Sequence, residues 1–287
     1  MASRPQVAGR SATVARALGA SRNVMQNSTI DRFFDCDADE FVKANIASLF
    51  KKSEEGMVQL FQGMRRAMVF AAHPDDELIG AGGTISRLKL GGKNVRVIVF
   101  SYGGGGATAE EARLLRENRI EAIRERETNM VAESLGIEHR ILGLAEIEDW
   151  REVTKMLVRE LRLFKPNLVF THSPLDKHHL HRSVSQISTE ASWHAGAKVY
   201  GELGKPWKIS AIYYYEVFDL FTEPSMIVDV TKTFSLKLKA LRLYDSQLKV
   251  FPGLDDYLEA LARVRGYQAG VKFGEAFMQA SSIPITA

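Results

Sequence analysis

Short, predominantly apolar runs recur along this chain with helical segments between them, and that alternation limits the fold more than any other feature. AMVFAA (67–72) and VRVIVFS (95–101) are too short for helices and too uniformly apolar for strands with one face in water. RILGL (140–144) and LVFTH (168–172) continue the series as third and fourth strands. Helices are predicted between them: about Glu77–Leu90, stopped by Gly91-Gly92; about Glu110–Leu135, stopped by Gly136; and about 150–164. Strands buried on both faces and separated by helices form a parallel sheet covered on both sides. ISAIYYYEV (209–217) and SMIVDV (225–230) add strands, and two helices are expected to close the chain.

Ligand sites in such sheets lie beyond the carboxyl ends of the strands. HPDDE leaves the end of the first strand, Gly103 to Gly106 follow the second, and HSPLDKHHLH leaves the fourth, so all three open onto one rim. Asp75, Asp76 and Glu77 sit at a helix start, where free N–H groups and the dipole favour negative charge. Capping explains one or two acids, but not His73 placed with them at the end of a buried strand. Four of the seven histidines (His172, His178, His179 and His181) fall within residues 172–181, and His178 and His181 share a face if the helix has begun there. A His/Asp/His trio suits zinc or another divalent ion with an open position for water. An adjacent carboxylate can accept the proton of the attacking water, and a spare histidine can protonate the leaving group or stabilise an oxyanion. These are the residues of a metal-assisted hydrolase. The glycine loop is read either as a close backbone approach for substrate or as a flexible connection.

Composition excludes several other classes. At 287 residues the chain suits one large domain with an extension, and its net charge of +3 carries no nucleic-acid footprint. Cys36 is the only cysteine, which rules out an intrachain disulfide and thiolate-rich metal sites and fits a reducing, cytoplasmic setting. No apolar run reaches the roughly 18 residues of a membrane span. Residues 1–30 carry Arg4, Arg10, Arg16 and Arg22 with no acid before Asp31, a composition shared by basic tails and organellar transit peptides. From Thr29 to Arg66 an amphipathic pattern bearing Phe33, Phe34, Phe41, Phe50 and Phe61 predicts helix. That helix either packs on its own domain or serves a neighbouring subunit, the basis for expecting a homo-oligomer.

AAHPDDELIGAGGTISRL resembles the opening motif of the PIG-L / LmbE-like family of zinc-dependent N-deacetylases. RERETNMVAESLG (124–136), DKHHLHRSV (176–184), KLKALRLYDSQ (237–247) and GEAF (274–277) continue the likeness, which covers about residues 66–280. It implies an N-terminal extension over 1–65 and a deacetylase domain over 66–287. The expected architecture is α/β: a Rossmann-like, mostly parallel sheet with helices on both faces and the metal site at the carboxyl ends of the strands. By this resemblance His73, Asp76 and His181 bind Zn2+ or another divalent metal, Asp75 is the general base, and His178 stabilises the tetrahedral intermediate or acts as acid. Arg124 and Asp176 fall in family motif positions and are expected to bind substrate or to stand behind the ligands. His172, His179 and His194 are expected to be structural. The implied substrate is a small amino-sugar conjugate carrying an N-acetyl group. An amidase on a larger acyl group and a catalytically weak sugar- or partner-binding relative are the alternatives. One position departs from the family pattern: relatives commonly have an acid immediately before the third ligand, where this chain has Leu180. Either another carboxylate, such as Asp176, is then the expected orienter of His178, or His178 is expected to have a lower pKa and weaker acid function.

Overall fold

Apolar side chains that alternate along each central strand must find cover on two opposite faces, and they do. A computed structural model describes residues 63–103, 113 and 119–280. All of them fall within one of the two units into which the chain divides, the one spanning Lys52–Ala287. Strand β1 (Arg66–Ala71) sends Ala67, Val69 and Ala71 into one hydrophobic cluster, and Met68, Phe70 and Ala72 point into another. β2 (Asn94–Val99) and β4 (Leu168–His172) divide in the same way, with Val97 and Phe170 on the first face and Ile98 and Val169 on the second. The continuous apolar runs are the signature of these two-sided strands.

β3 (Glu138–Ile141), β2, β1, β4 and β5 (Ala211–Tyr215) pair in parallel in that order. Helices α1 (Asp76–Leu90) and α2 (Ile120–Leu135) cover the first face through Leu78, Ile79, Ile85 and Val131. α3 (Trp150–Phe164) and α4 (His179–Gly196) cover the second through Leu157, Leu161, Val184 and Ile187. The third strand occupies Glu138–Ile141 rather than 140–144. Its alternate residues are exposed or half-buried, so its apolar end pairs only briefly.

The C-terminal third departs from the expectation that two helices close the chain. β6 (Met226–Asp229), α5 (Phe234–Leu241), α6 (Asp245–Leu248) and α7 (Leu254–Ala269) are followed by β7 (Gly274–Gln279). β7 inserts antiparallel between β5 and β6, making a seven-stranded mixed sheet. GEAF is therefore a strand. Its Glu275 accepts hydrogen bonds from the Gly83 and Thr84 amides of α1 at 2.8 and 2.7 Å. Lys237 of α5 donates to Glu275 at 2.7 Å and to the Ile79 carbonyl at 2.8 Å, with both side chains buried. A buried charge pair with its remaining valences satisfied locks α1, α5 and β7 together.

The N-terminal tail, the amphipathic stretch up to Gln62 and Gly104–Gly106 lie outside the described residues, as does all but Arg113 and Arg119 of the segment 104–119. The homo-oligomer and transit-peptide expectations rest on those residues. Arg66, the expected end of the N-terminal helix, is instead the first residue of β1. Among the described residues no helix is long and apolar enough to cross a membrane.

Two substitutions test this packing. Lys237→Met strips the cation from buried Glu275, and urea denaturation is expected to show a loss of about 3–5 kcal/mol. A loss below about 1 kcal/mol would contradict the lock. Gly80 of α1 lies against β5, where an added Cβ would stand 2.2 Å from the Tyr215 ring. Gly80→Ala is expected to cost about 1–3 kcal/mol by overpacking.

Candidate metal centre and active site

The chain runs β1–β2–β3 to one side of the sheet and β4–β5 to the other, so the crevice between β1 and β4 is the topological switch point. The segment after β1 carries His73, Asp75 and Asp76, and the segment after β4 carries Asp176, His178 and His181. Parallel pairing of β1 with β4 brings the two together. His73 Nδ1 lies 3.3 Å from Asp76 Oδ2 and 3.2 Å from His181 Nε2, and His181 Nε2 lies 3.4 Å from Asp76 Oδ2. Tetrahedral coordination with bonds of about 2.0–2.1 Å requires donor atoms about 3.3 Å apart. The three donor atoms thus stand at the spacing of three ligands around one small divalent cation. This is a buried His/Asp group able to hold a metal.

Two further histidines stand close by. Donor atoms of His73, His178 and His181 lie within 4.8 Å of one another, as do those of Asp76, His172 and His181. His172 Nε2 accepts the Ala72 amide at 2.9 Å, so its lone pair is committed to the backbone. The ring is fully buried, stacks on His181 at 4.0 Å, and burial lowers its pKa to about 4. His172 is a packing and hydrogen-bonding element beneath the centre. His178 is half-buried, with ring centroids 4.8 and 4.7 Å from those of His73 and His181. Burial first, and then the neighbouring histidines, lower its pKa to about 4.

The carboxylates divide by environment. Burial by itself would raise the pKa of Asp76, yet His181 and His172 hold it well below the usual range. Asp75 takes the opposite course: burial, then Asp76 and Glu77, push it well above that range. Asp75 Oδ2 is buried with no hydrogen-bond partner among the described residues, and the side chain lines the cavity. Its backbone has φ 111° and ψ −31°, a conformation costing an L residue about 1–3 kcal/mol. Asp75 gives α1 no side-chain cap, so capping does not explain it. Glu77 is no surface acid either: fully buried, it accepts the Asp75 amide at 3.2 Å.

Asp176 does not line the cavity. It is 1% exposed, and its Oδ1 lies 3.2 Å from His181 Nδ1. Its hydrogen bonds come from the backbone amides of His178 at 2.9 Å and Phe218 at 3.1 Å. Desolvation opposes its charge, but the His181 contact and these amides lower its pKa to about 2. Asp176 therefore fixes the His181 ring and the loop before α4, and it does not orient the His178 ring. Leu180, read from the sequence as a departure from the family pattern, points into the core on the α3–α4 side. Arg124 lies beneath the rim, 1% exposed, with its guanidinium donating to the Tyr102 carbonyl at 3.3 Å. An added Cβ at Gly103 (φ +72°) would come within 3.1 Å of it. Arg124 also draws the pKa of Asp75 down, against burial.

The cavity over the centre holds about 1060 Å³. One wall is polar, with His73, Asp75, His178 and Arg124. The other is apolar, built by Val217, Phe218 and Leu220 from the segment after β5 and by Phe251, Leu254 and Tyr257 from the C-terminal third. Phe218 lies parallel to the His181 ring at 5.5 Å. Glu216 anchors that segment by accepting from Arg265 and from the Phe221 amide. Nothing in the local pattern of this wall identifies it as part of a site.

The profile of the PIG-L family, described as GlcNAc-PI de-N-acetylase, matches residues 68–192. A diacetylchitobiose deacetylase of Thermococcus kodakarensis is 27% identical over 242 residues, covering 80% of this chain and 88% of that protein. A 1D-myo-inositol 2-acetamido-2-deoxy-alpha-D-glucopyranoside deacetylase of Rhodococcus jostii is 27% identical over 52% of this chain, which spans only 61% of that relative's length. Among solved structures, N,N'-diacetylchitobiose deacetylase from Pyrococcus horikoshii, complexed with an inhibitor, superposes with a TM-score of 0.68 at 28% identity. It covers 82% of this chain and 92% of its own. A rim of histidines and aspartates alone would fit several hydrolase folds. Joined to a matched profile that spans both motifs and a shared architecture across most of the chain, it supports the PIG-L / LmbE-like family as the one this chain resembles.

Proposed function

We propose that the chain hydrolyses the N-acetyl group of an N-acetylglucosamine-type sugar conjugate, with residues 66–287 as the deacetylase unit. One observation carries the reading: an unengaged carboxylate, Asp75, stands beside three donor atoms spaced for a divalent cation at the floor of a cavity. The likeness to deacetylases of diacetylchitobiose and of an acetamido-glucopyranoside supports the substrate class.

His73, Asp76 and His181 would hold zinc, which their two imidazoles and one carboxylate suit, leaving room for water. Zinc so held supplies Lewis acidity, polarising the amide carbonyl and lowering the pKa of water toward about 7. Asp75 takes a proton from the attacking water as the new C–O bond forms, and that proton passes to the amine nitrogen as the C–N bond breaks. His178 faces the same space and donates a hydrogen bond to the developing oxyanion. Asp176, on His181 Nδ1, keeps the Nε2 lone pair of that ring turned toward the ligand cluster. The apolar wall seats the part of the conjugate that does not react.

Chelation is expected to abolish acetate release from N-acetylglucosamine conjugates, and zinc to restore it. Asp75→Asn should keep stoichiometric metal while kcat falls at least about a hundredfold; full activity would remove Asp75 as the base. His73→Ala should lose both metal and turnover. Asp176→Asn should weaken metal affinity about tenfold or more in competition with a chelator. Unchanged affinity would deny Asp176 its part in holding His181. Activity confined to longer N-acyl chains would replace the acetyl group as substrate and keep the same machinery.

A further inference from the structure

We propose that Tyr244, Glu77 and Gln247 form a clamp that positions Asp75 for its role as proton acceptor. The inference rests on the reading of Asp75 as the general base, and it concerns residues that do none of the chemistry themselves.

Asp75 sits in a backbone conformation that an L residue rarely adopts, so something must hold the turn there. From its C-terminal side α1 contributes two bonds, the amides of Leu78 and Ile79 to the Asp75 carbonyl at 2.9 and 2.8 Å. The turn before the helix is closed by the Asp76 amide on the His73 carbonyl at 3.4 Å and the His73 amide on Asp76 Oδ2 at 2.7 Å, bonds that stay within the segment and do not tie it to the rest of the molecule. On the other side of the peptide, the Asp75 amide donates to Glu77 Oε2. The other oxygen of the same carboxylate, Oε1, accepts the Tyr244 hydroxyl at 2.8 Å. Both side chains are fully buried, so neither touches substrate. Three residues along from Tyr244, Gln247 Nε2 donates to the Pro74 carbonyl at 2.8 Å. Both polar groups of the one peptide joining Pro74 to Asp75, its carbonyl directly and its amide through Glu77, are therefore tied to one short segment, 244–247.

That segment is itself anchored. The Ser246 amide and hydroxyl donate to the Glu127 carboxylate of α2 at 2.8 and 2.6 Å. Glu127 lies one helical turn from Arg124, which faces the same rim. The clamp ties the C-terminal segment to α2 and to the loop after β1. It also accounts for the YDSQ of KLKALRLYDSQ, whose Tyr, Ser and Gln each bind one part of this frame.

The test uses the full chain and its Tyr244→Phe variant, which removes one hydroxyl and keeps the ring. Gln247→Met, which removes the bond to Pro74, is the second variant. Backbone hydrogen exchange should accelerate in peptides spanning residues 73–79 and stay unchanged elsewhere. With zinc bound stoichiometrically and the melting temperature held, kcat should fall roughly tenfold or more while KM stays within about twofold. Unchanged exchange over 73–79 together with unchanged kcat would overturn the clamp. So would faster exchange spread across the molecule with a lowered melting temperature, since that marks a merely structural role. Local acceleration in a parent that releases no acetate from any conjugate would uphold the clamp and sink the deacetylase reading instead.

Discussion

The parallel pairing of β1 with β4 is the constraint on which everything else depends. Met68 lies beside Val169 and Val69 beside Phe170. Because the strands run the same way, the segments leaving their carboxyl ends emerge together. A histidine at position 73 and one at 181 then face each other across 3.2 Å. Moving either strand elsewhere in the order would separate the two halves of the site by at least one strand spacing, about 4.8 Å. The apolar runs therefore do more than form a core, because their adjacency decides that a centre exists.

Gathering acids and imidazoles at that crevice is costly in a low-dielectric setting, and the fold answers group by group. Asp76 is offset by His181 and His172, and Asp176 by the His181 ring and two backbone amides. Glu77 is satisfied by Tyr244 and the Asp75 amide. Asp75 is the exception, crowded by two acids and left with an unengaged oxygen in a strained turn. Local rules are broken at the residue proposed as the base, and the surrounding bonds hold the break in place.

Leu180 illustrates how a one-residue departure is absorbed. Its side chain belongs to the core under α4, among Val184 and Ile187. The His178 ring consequently has no carboxylate behind it: its Nδ1 is buried and without a hydrogen-bond partner among the described residues. Asp176, two residues earlier in the chain, places its carboxylate beside the His181 ring and on two backbone amides. In this chain the carboxylate support goes to His181 and not to His178.

The sequence by itself determined the layered architecture and the rim, because burial on two faces leaves a readable apolar run in each central strand. It also determined the chemical character of the candidate centre, since HPDDE and DKHHLH each carry imidazoles and carboxylates within a few residues. Tertiary structure alone decided the rest. That GEAF would insert as a strand between β5 and β6 could not be read from its residues, since its pairing partners, Tyr213–Tyr215 and Met226–Asp229, lie far away in sequence. Arg124 and Glu77 look like solvated charges on helices until packing buries them. Asp176 could have faced substrate, His178 or His181, and only the path of the chain after β4 chose. The apolar wall and the 244–247 clamp arise from segments far beyond HPDDE in the chain. Side-chain periodicity records which face of an element is buried, but not what it is buried against.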